Sequence, residues 1–129
     1  MKQEILQCLL ADRAAKHAVA LATDTGNGNQ TLVYQNSAKG PDSEDIDVLT
    51  IARQSIQDDR SKMHVVGGRQ IFIQTFNPPL RMLIVGAVHI AQPLSRIASV
   101  AGYDVTIIDP RASFATDERF PGITLNGDW

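Results

Sequence analysis

The sequence predicts an α/β protein in which a small α+β N-terminal domain, residues 1-76, precedes a parallel βαβ sheet, residues 80-129. Three observations carry that reading. Residues 17–34 and 63–76 each have the form strand, glycine-containing turn, strand, which is the pattern of antiparallel hairpins. Residues 81–108 run instead as apolar strand, glycine loop, helix and second apolar strand, the order of a right-handed βαβ unit. Between the two styles lies Asn77-Pro78-Pro79, where neither proline can donate a ladder hydrogen bond and Pro79 restricts the residue before it.

Each element has a local reason. Ile5, Leu6, Leu9, Leu10 and Ala14 recur at helical spacing, so residues 2–15 read as a helix. Residues 17–23 (HAVALAT) read as a buried strand, and residues 24–29 supply the Asp, Asn and Gly that a turn into a second strand at 31–34 requires. After a loop over 35–41, Asp42 or Ser43 is the expected cap of a second helix, with Glu44, Asp45 and Asp47 in its first turn and Ile46, Leu49, Arg53 and Ile56 as its inner stripe. The second hairpin turns at Gly67-Gly68, and alternation places Ile71, Ile73 and Thr75 on one face of its longer strand. In the C-terminal half, residues 81–85 form a near-continuous apolar strand expected to be buried on both faces. A helix over 92–101 stops at Gly102, DVTII (104–108) forms the next strand, and a short strand follows at 122–125.

Bulk properties narrow the function. The chain has 129 residues, a net charge of −2, 43% hydrophobic and 20% charged residues, which suits one globular domain or two small units. Scattered lysines and arginines give no basic footprint for nucleic acid. No apolar run approaches the length of a membrane span, and Glu4 and Asp12 make the first helix unlike a signal peptide. The single cysteine, Cys8, excludes an intrachain disulfide and reads as a packing residue; a cytoplasmic protein is expected.

The chemistry-bearing stretch is LIVGAVHIAQP, residues 83–93. It sits where a dinucleotide-binding fold carries G-x-G-x-x-G, with Gly86 first, Val88 at the second glycine and Ala91 at the third. Asp109 ends the following strand at the position of a ribose-binding carboxylate. Val88 should obstruct a pyrophosphate, while the helix N-terminus keeps N–H groups and a positive dipole end for an anion. A bound NAD-type ligand and a purely structural turn both remain open on these residues. His89 would lie at the mouth of the sheet, as a ligand group or bonded to a neighbouring carbonyl. Arg111 would suit a phosphate, or pair with Asp109 or Asp117. His17, His64 and His89 lie on separate elements without HxxxH, CxxC or GxSxG patterns, so neither a metal centre nor a catalytic nucleophile is expected.

The runs FNPPLRMLIVGAVHIAQ (76–92), AGYDVTIIDPR (101–111) and Phe114-Ala115 through Arg119-Phe120-Pro121-Gly122 together resemble the XdhC/CoxI family of molybdoenzyme accessory factors, in the subgroup with a GAVHIAQ loop. The resemblance implies a Rossmann-like C-terminal domain, here a truncated one, since family members continue for roughly another half-sheet. It further implies a non-catalytic role in maturing xanthine dehydrogenase or a related molybdenum hydroxylase: binding the molybdenum cofactor (molybdopterin) while a cysteine desulfurase supplies sulfur. Carried over by position, the cofactor would lie near Gly86, Ala87, Val88, His89, Asp109 and Arg111. An open parallel edge also suggests a homo-oligomer or a partner that completes the sheet. A small NAD(P)-binding oxidoreductase and a ligand-free oligomerisation module are the alternatives.

Overall fold

The computed structural model describes residues 2–128, in two compact units that divide between Pro78 and Pro79. The first unit contains α1 (Gln3–Ala14), β1 (Val19–Asp24), β2 (Gln30–Val33), β3 (Ala38–Lys39), α2 (Ile46–Asp58), β4 (Lys62–Val66) and β5 (Arg69–Phe76). Its strands form an antiparallel sheet of order β3-β2-β1-β5-β4, in which β1 joins the two hairpins by pairing Ala22 with both Thr31 and Ile73. Alternation along β1 builds a core on each side of the sheet. Ala20 and Ala22 face Val48 and Ala52 of α2, together with Val33, Ile71 and Ile73, whereas Val19 and Leu21 face Leu9 of α1 with Leu32. The result is a sheet between two helices.

Two expectations for α2 are corrected. The cap is Asp45, whose Oδ1 accepts from the amides of Asp47 (3.1 Å) and Val48 (3.2 Å). Asp42 and Asp45 both bond Arg69, whose Nη1 donates to Asp42 at 2.8 Å and to Asp24 at 3.3 Å while Nη2 reaches Asp45 Oδ2, leaving Asp45 Oδ1 for the cap. The buried stripe centres on Val48, Ala52 and Ser55, with the expected Leu49 and Ile56 packed at its margin, and Ile46 is 76% exposed. The two-residue strand β3, too short to show alternation, is an addition to the expected elements.

The second unit is β6 (Arg81–Val85), α3 (Ala91–Val100), β7 (Asp104–Ile108) and β8 (Thr124–Asn126), a parallel sheet of order β6-β7-β8. Ile84 pairs with Ile107 and Ile107 with Leu125, so these three side chains share a face. With Ala87, Ala91, Phe120, Ala115 and Ile123 they form its core. The expectation that residues 81–85 are buried on both faces is overturned: Leu83 and Val85 are 60% and 61% exposed. They point away from the covered face, and among the described residues β6 has a neighbour on one side only. No helix among the described residues is long and apolar enough to cross a membrane.

Candidate cofactor-binding loop

The loop between β6 and α3 is built by one glycine and one carboxylate. Gly86 adopts φ +102, a region that L side chains rarely enter, and its amide still donates to Ile108 O at 2.8 Å. The next residue, Ala87, is fully buried, and its amide donates to Asp109 Oδ2 at 2.8 Å. Val88, His89 and Ile90 then turn outward. The carbonyls of Val88 and His89 accept from the amides of Ala91 (3.0 Å) and Gln92 (3.3 Å), which starts the helix. That leaves the amides of Val88, His89 and Ile90 without a hydrogen-bond partner among the described residues. Successive unbonded N–H groups at the positive end of a helix are a natural seat for an anion.

Asp109 sits at the centre of the arrangement and is 1% exposed. Its Oδ1 accepts from the Arg111 amide and Nε, both at 2.9 Å, and its Oδ2 accepts from Ala87 N and from Arg111 Nη2 at 2.7 Å. The Arg111 guanidinium first, then the Ala87 and Arg111 amides, hold the carboxyl well below the usual carboxylate range against the opposing effect of burial. With four donors in place, Asp109 has no acceptor position left for a ribose diol. Of the readings open for Arg111, the ion pair with Asp109 is the one formed, although 53% of the Arg111 side chain stays exposed.

Ala87, Asp109 and Arg111 therefore form one hydrogen-bonded network beside Gly86, with Val88 and His89 on its exposed rim. The His89 ring makes no hydrogen bond among the described residues, so the carbonyl-bonded alternative is not realised. Phe114 and Arg119, noted from the sequence only as part of the family resemblance and not as site residues, join the same region. The Arg111 guanidinium lies 4.3 Å from the centre of the Phe114 ring, and Arg119 Nη1 donates to Phe114 O at 2.6 Å.

The remaining candidates stay apart. His17 lies 3.6 Å from Asp12, the His64 Nε2 is buried without a partner, and no group of three or more potential metal ligands converges among the described residues. Cys8 is half-buried rather than enclosed, packs beside the α1 core and lies 3.7 Å from Lys39 Nζ.

A parallel βαβ unit whose glycine loop opens a helix defines a Rossmann-like module. More narrowly, residues 82–125 match the family model described as the XdhC Rossmann domain, the family that the sequence resembles. The fold is also similar to a solved chain described as a xanthine dehydrogenase from Bacillus halodurans. That match has a TM-score of 0.71 and 17% identity, and covers 97% of this chain and 38% of that one. At this identity the likeness shows a shared fold, and the present chain spans well under half the length of its neighbour. No curated protein matches the chain in sequence.

Proposed function

We propose that this protein is a non-catalytic accessory factor of molybdoenzyme maturation, which binds the molybdenum cofactor at the β6–α3 loop and delivers it to xanthine dehydrogenase or a related molybdenum hydroxylase. The observation that carries this reading is the run of unbonded amides at Val88, His89 and Ile90, which fits the phosphate of a pterin cofactor. Gly86 shapes the loop, Ala87 is fixed through Asp109, and Arg111 adds a cation beside it. When bound, the cofactor would supply the redox centre of the recipient enzyme. The chain's own part is to hold the anion and shelter it until transfer, with a cysteine desulfurase as the source of sulfur.

The XdhC Rossmann match and the xanthine dehydrogenase description of the structural neighbour support this family of partners. The exposed apolar residues Leu83 and Val85, on the uncovered face of the edge strand β6, support a protein partner there, whether the recipient enzyme or a second copy of the chain. A nicotinamide dinucleotide fits less well, because the acceptors of Asp109 are taken and Val88 occupies the close-approach position. The test is to purify the protein from cells that make the cofactor, oxidise it and record pterin fluorescence. Wild type is expected to release a pterin and Gly86→Val to release little, since valine cannot adopt the loop's φ. A wild-type protein that carries no pterin, and leaves the activity of a co-expressed molybdenum hydroxylase unchanged, would sink the reading.

A further inference from the structure

We propose that the face of the Arg111 guanidinium, fixed flat by Asp109 and backed by Phe114, is a stacking platform for a fused heteroaromatic ring. The guanidinium plane is set by two bonds to one carboxylate, from Nε at 2.9 Å and Nη2 at 2.7 Å, so little rotamer freedom remains to be lost when a ligand arrives. Phe114 covers one side of that plane at 4.3 Å. Arg119 braces the aromatic from its own position, 5.7 Å from the ring centre and bonded to the Phe114 carbonyl. Yet 53% of the Arg111 side chain and 40% of Phe114 are exposed. An ion pair that served only to close the loop would gain nothing from holding an aromatic ring in water beside it.

A delocalised, weakly hydrated cation is well suited to stack on a π-system. The pairing with Asp109 offsets its charge, so the platform selects for a flat ring more than for an anion. Nη1 has no partner among the described residues and can donate to an acceptor atom on the ring edge. Because Ala87 N and Arg111 share the same carboxylate, the platform adjoins the loop amides, and one ligand carrying both a ring and a phosphate can reach both. The proposal deepens the reading above and rests on it for the identity of the ring, a pterin; the geometry alone would also accept a purine.

The experiment is a fluorescence and NMR titration of the full chain with pterin-6-carboxylate, AMP and inorganic phosphate, repeated on Arg111→Lys and Phe114→Leu. Arg111→Lys keeps the charge and loses the plane. It is expected to weaken pterin binding about 5- to 150-fold, the range for removing one stacking partner, while phosphate binding changes little. In wild type the ring protons should shift upfield on binding, and in Phe114→Leu, which keeps an apolar prop, affinity should fall less than in Arg111→Lys. Tighter binding of AMP than of the pterin would support the platform while counting against the pterin reading. Pterin binding that is indifferent to Arg111→Lys, with no upfield shift, would overturn the platform and leave the accessory reading standing. Binding of phosphate but of neither ring would also overturn it.

Discussion

The C-terminal unit should stand or fall on Phe120. This side chain is 1% exposed and packs with Ala87, Ala91 and Ile107, so it joins the glycine loop, the helix start and the central strand β7. Truncation to alanine removes most of an aromatic ring from a core with few other large members. Such changes cost about 3–5 kcal/mol where the surroundings cannot collapse. A unit of roughly fifty residues has only about 3–7 kcal/mol of stability in total, so Phe120→Ala should leave a substantial population of it unfolded. Hydrogen exchange followed by mass spectrometry measures this locally. Peptides covering β6 and β7 should lose protection by two orders of magnitude or more, about 1.4 kcal/mol corresponding to each factor of ten, while those covering β1 and β5 keep theirs. Unchanged protection in β7 would refute the assignment of Phe120 as the centre of this core. Equal loss in β1 would refute the division of the chain into separate cores.

Three other outcomes are expected. Because the folded Asp109 carboxyl titrates below its unfolded value, its contribution to stability is fully present above about pH 4 and is lost as pH falls toward the folded value. Asp109→Asn, which sets an amide donor among existing donors, should destabilise the unit at neutral pH and flatten the acid limb of an equilibrium-unfolding pH series. Gly40→Ala should destabilise the N-terminal unit by about 1–3 kcal/mol in urea, because at φ +143 its Cβ would fall 2.7 Å from both Gln30 O and Thr31 Cα. Burial, then the 2.8 Å hydrogen bond to Asp12, raises Tyr34 to about 12. Its stabilisation is therefore complete below the ordinary tyrosine value and is lost as pH rises toward 12; phenolate absorbance should show a tyrosine titrating that late, and Asp12→Asn should bring it down.

Where local chemistry decides the outcome, the sequence was informative. The apolar run HAVALAT and the alternation of QIFIQTF named the strands that pair in the centre of the first sheet, and DVTII named β7 with its observed bounds. Long-range partners decided the rest. Asp42, Ser43 and Asp45 are all competent caps, and local sequence does not show that Arg69, across the unit on β5, ties both Asp42 and Asp45 to the start of α2. The apolar run 81–85 has the composition of a strand buried on both sides, but composition cannot say whether anything covers the Leu83 and Val85 face. Spacing located Asp109 at the strand end without revealing how many donors would converge on it. Phe114 had no periodic signal at all, because its importance comes from the guanidinium above it.

Those donors decide what kind of ligand the loop can recognise. In a dinucleotide site the strand-end carboxylate faces the ligand as an acceptor, and glycine lets the backbone approach as a donor. Here the carboxylate is turned inward to tie Ala87 to Arg111, and Val88 stands where the close approach would be. What remains for a ligand is the amides of Val88, His89 and Ile90, the free edge of Arg111 and the exposed His89 ring, a set whose fixed members all donate. A surface of donors favours a ligand rich in acceptors, such as a phosphate joined to a ring bearing carbonyl and imine atoms, and lacks the carboxylate acceptor that a ribose diol would bond. With Val88 and Ala91 in place of the second and third glycines, the loop therefore offers a ligand hydrogen-bond donors where a dinucleotide site also offers a carboxylate acceptor.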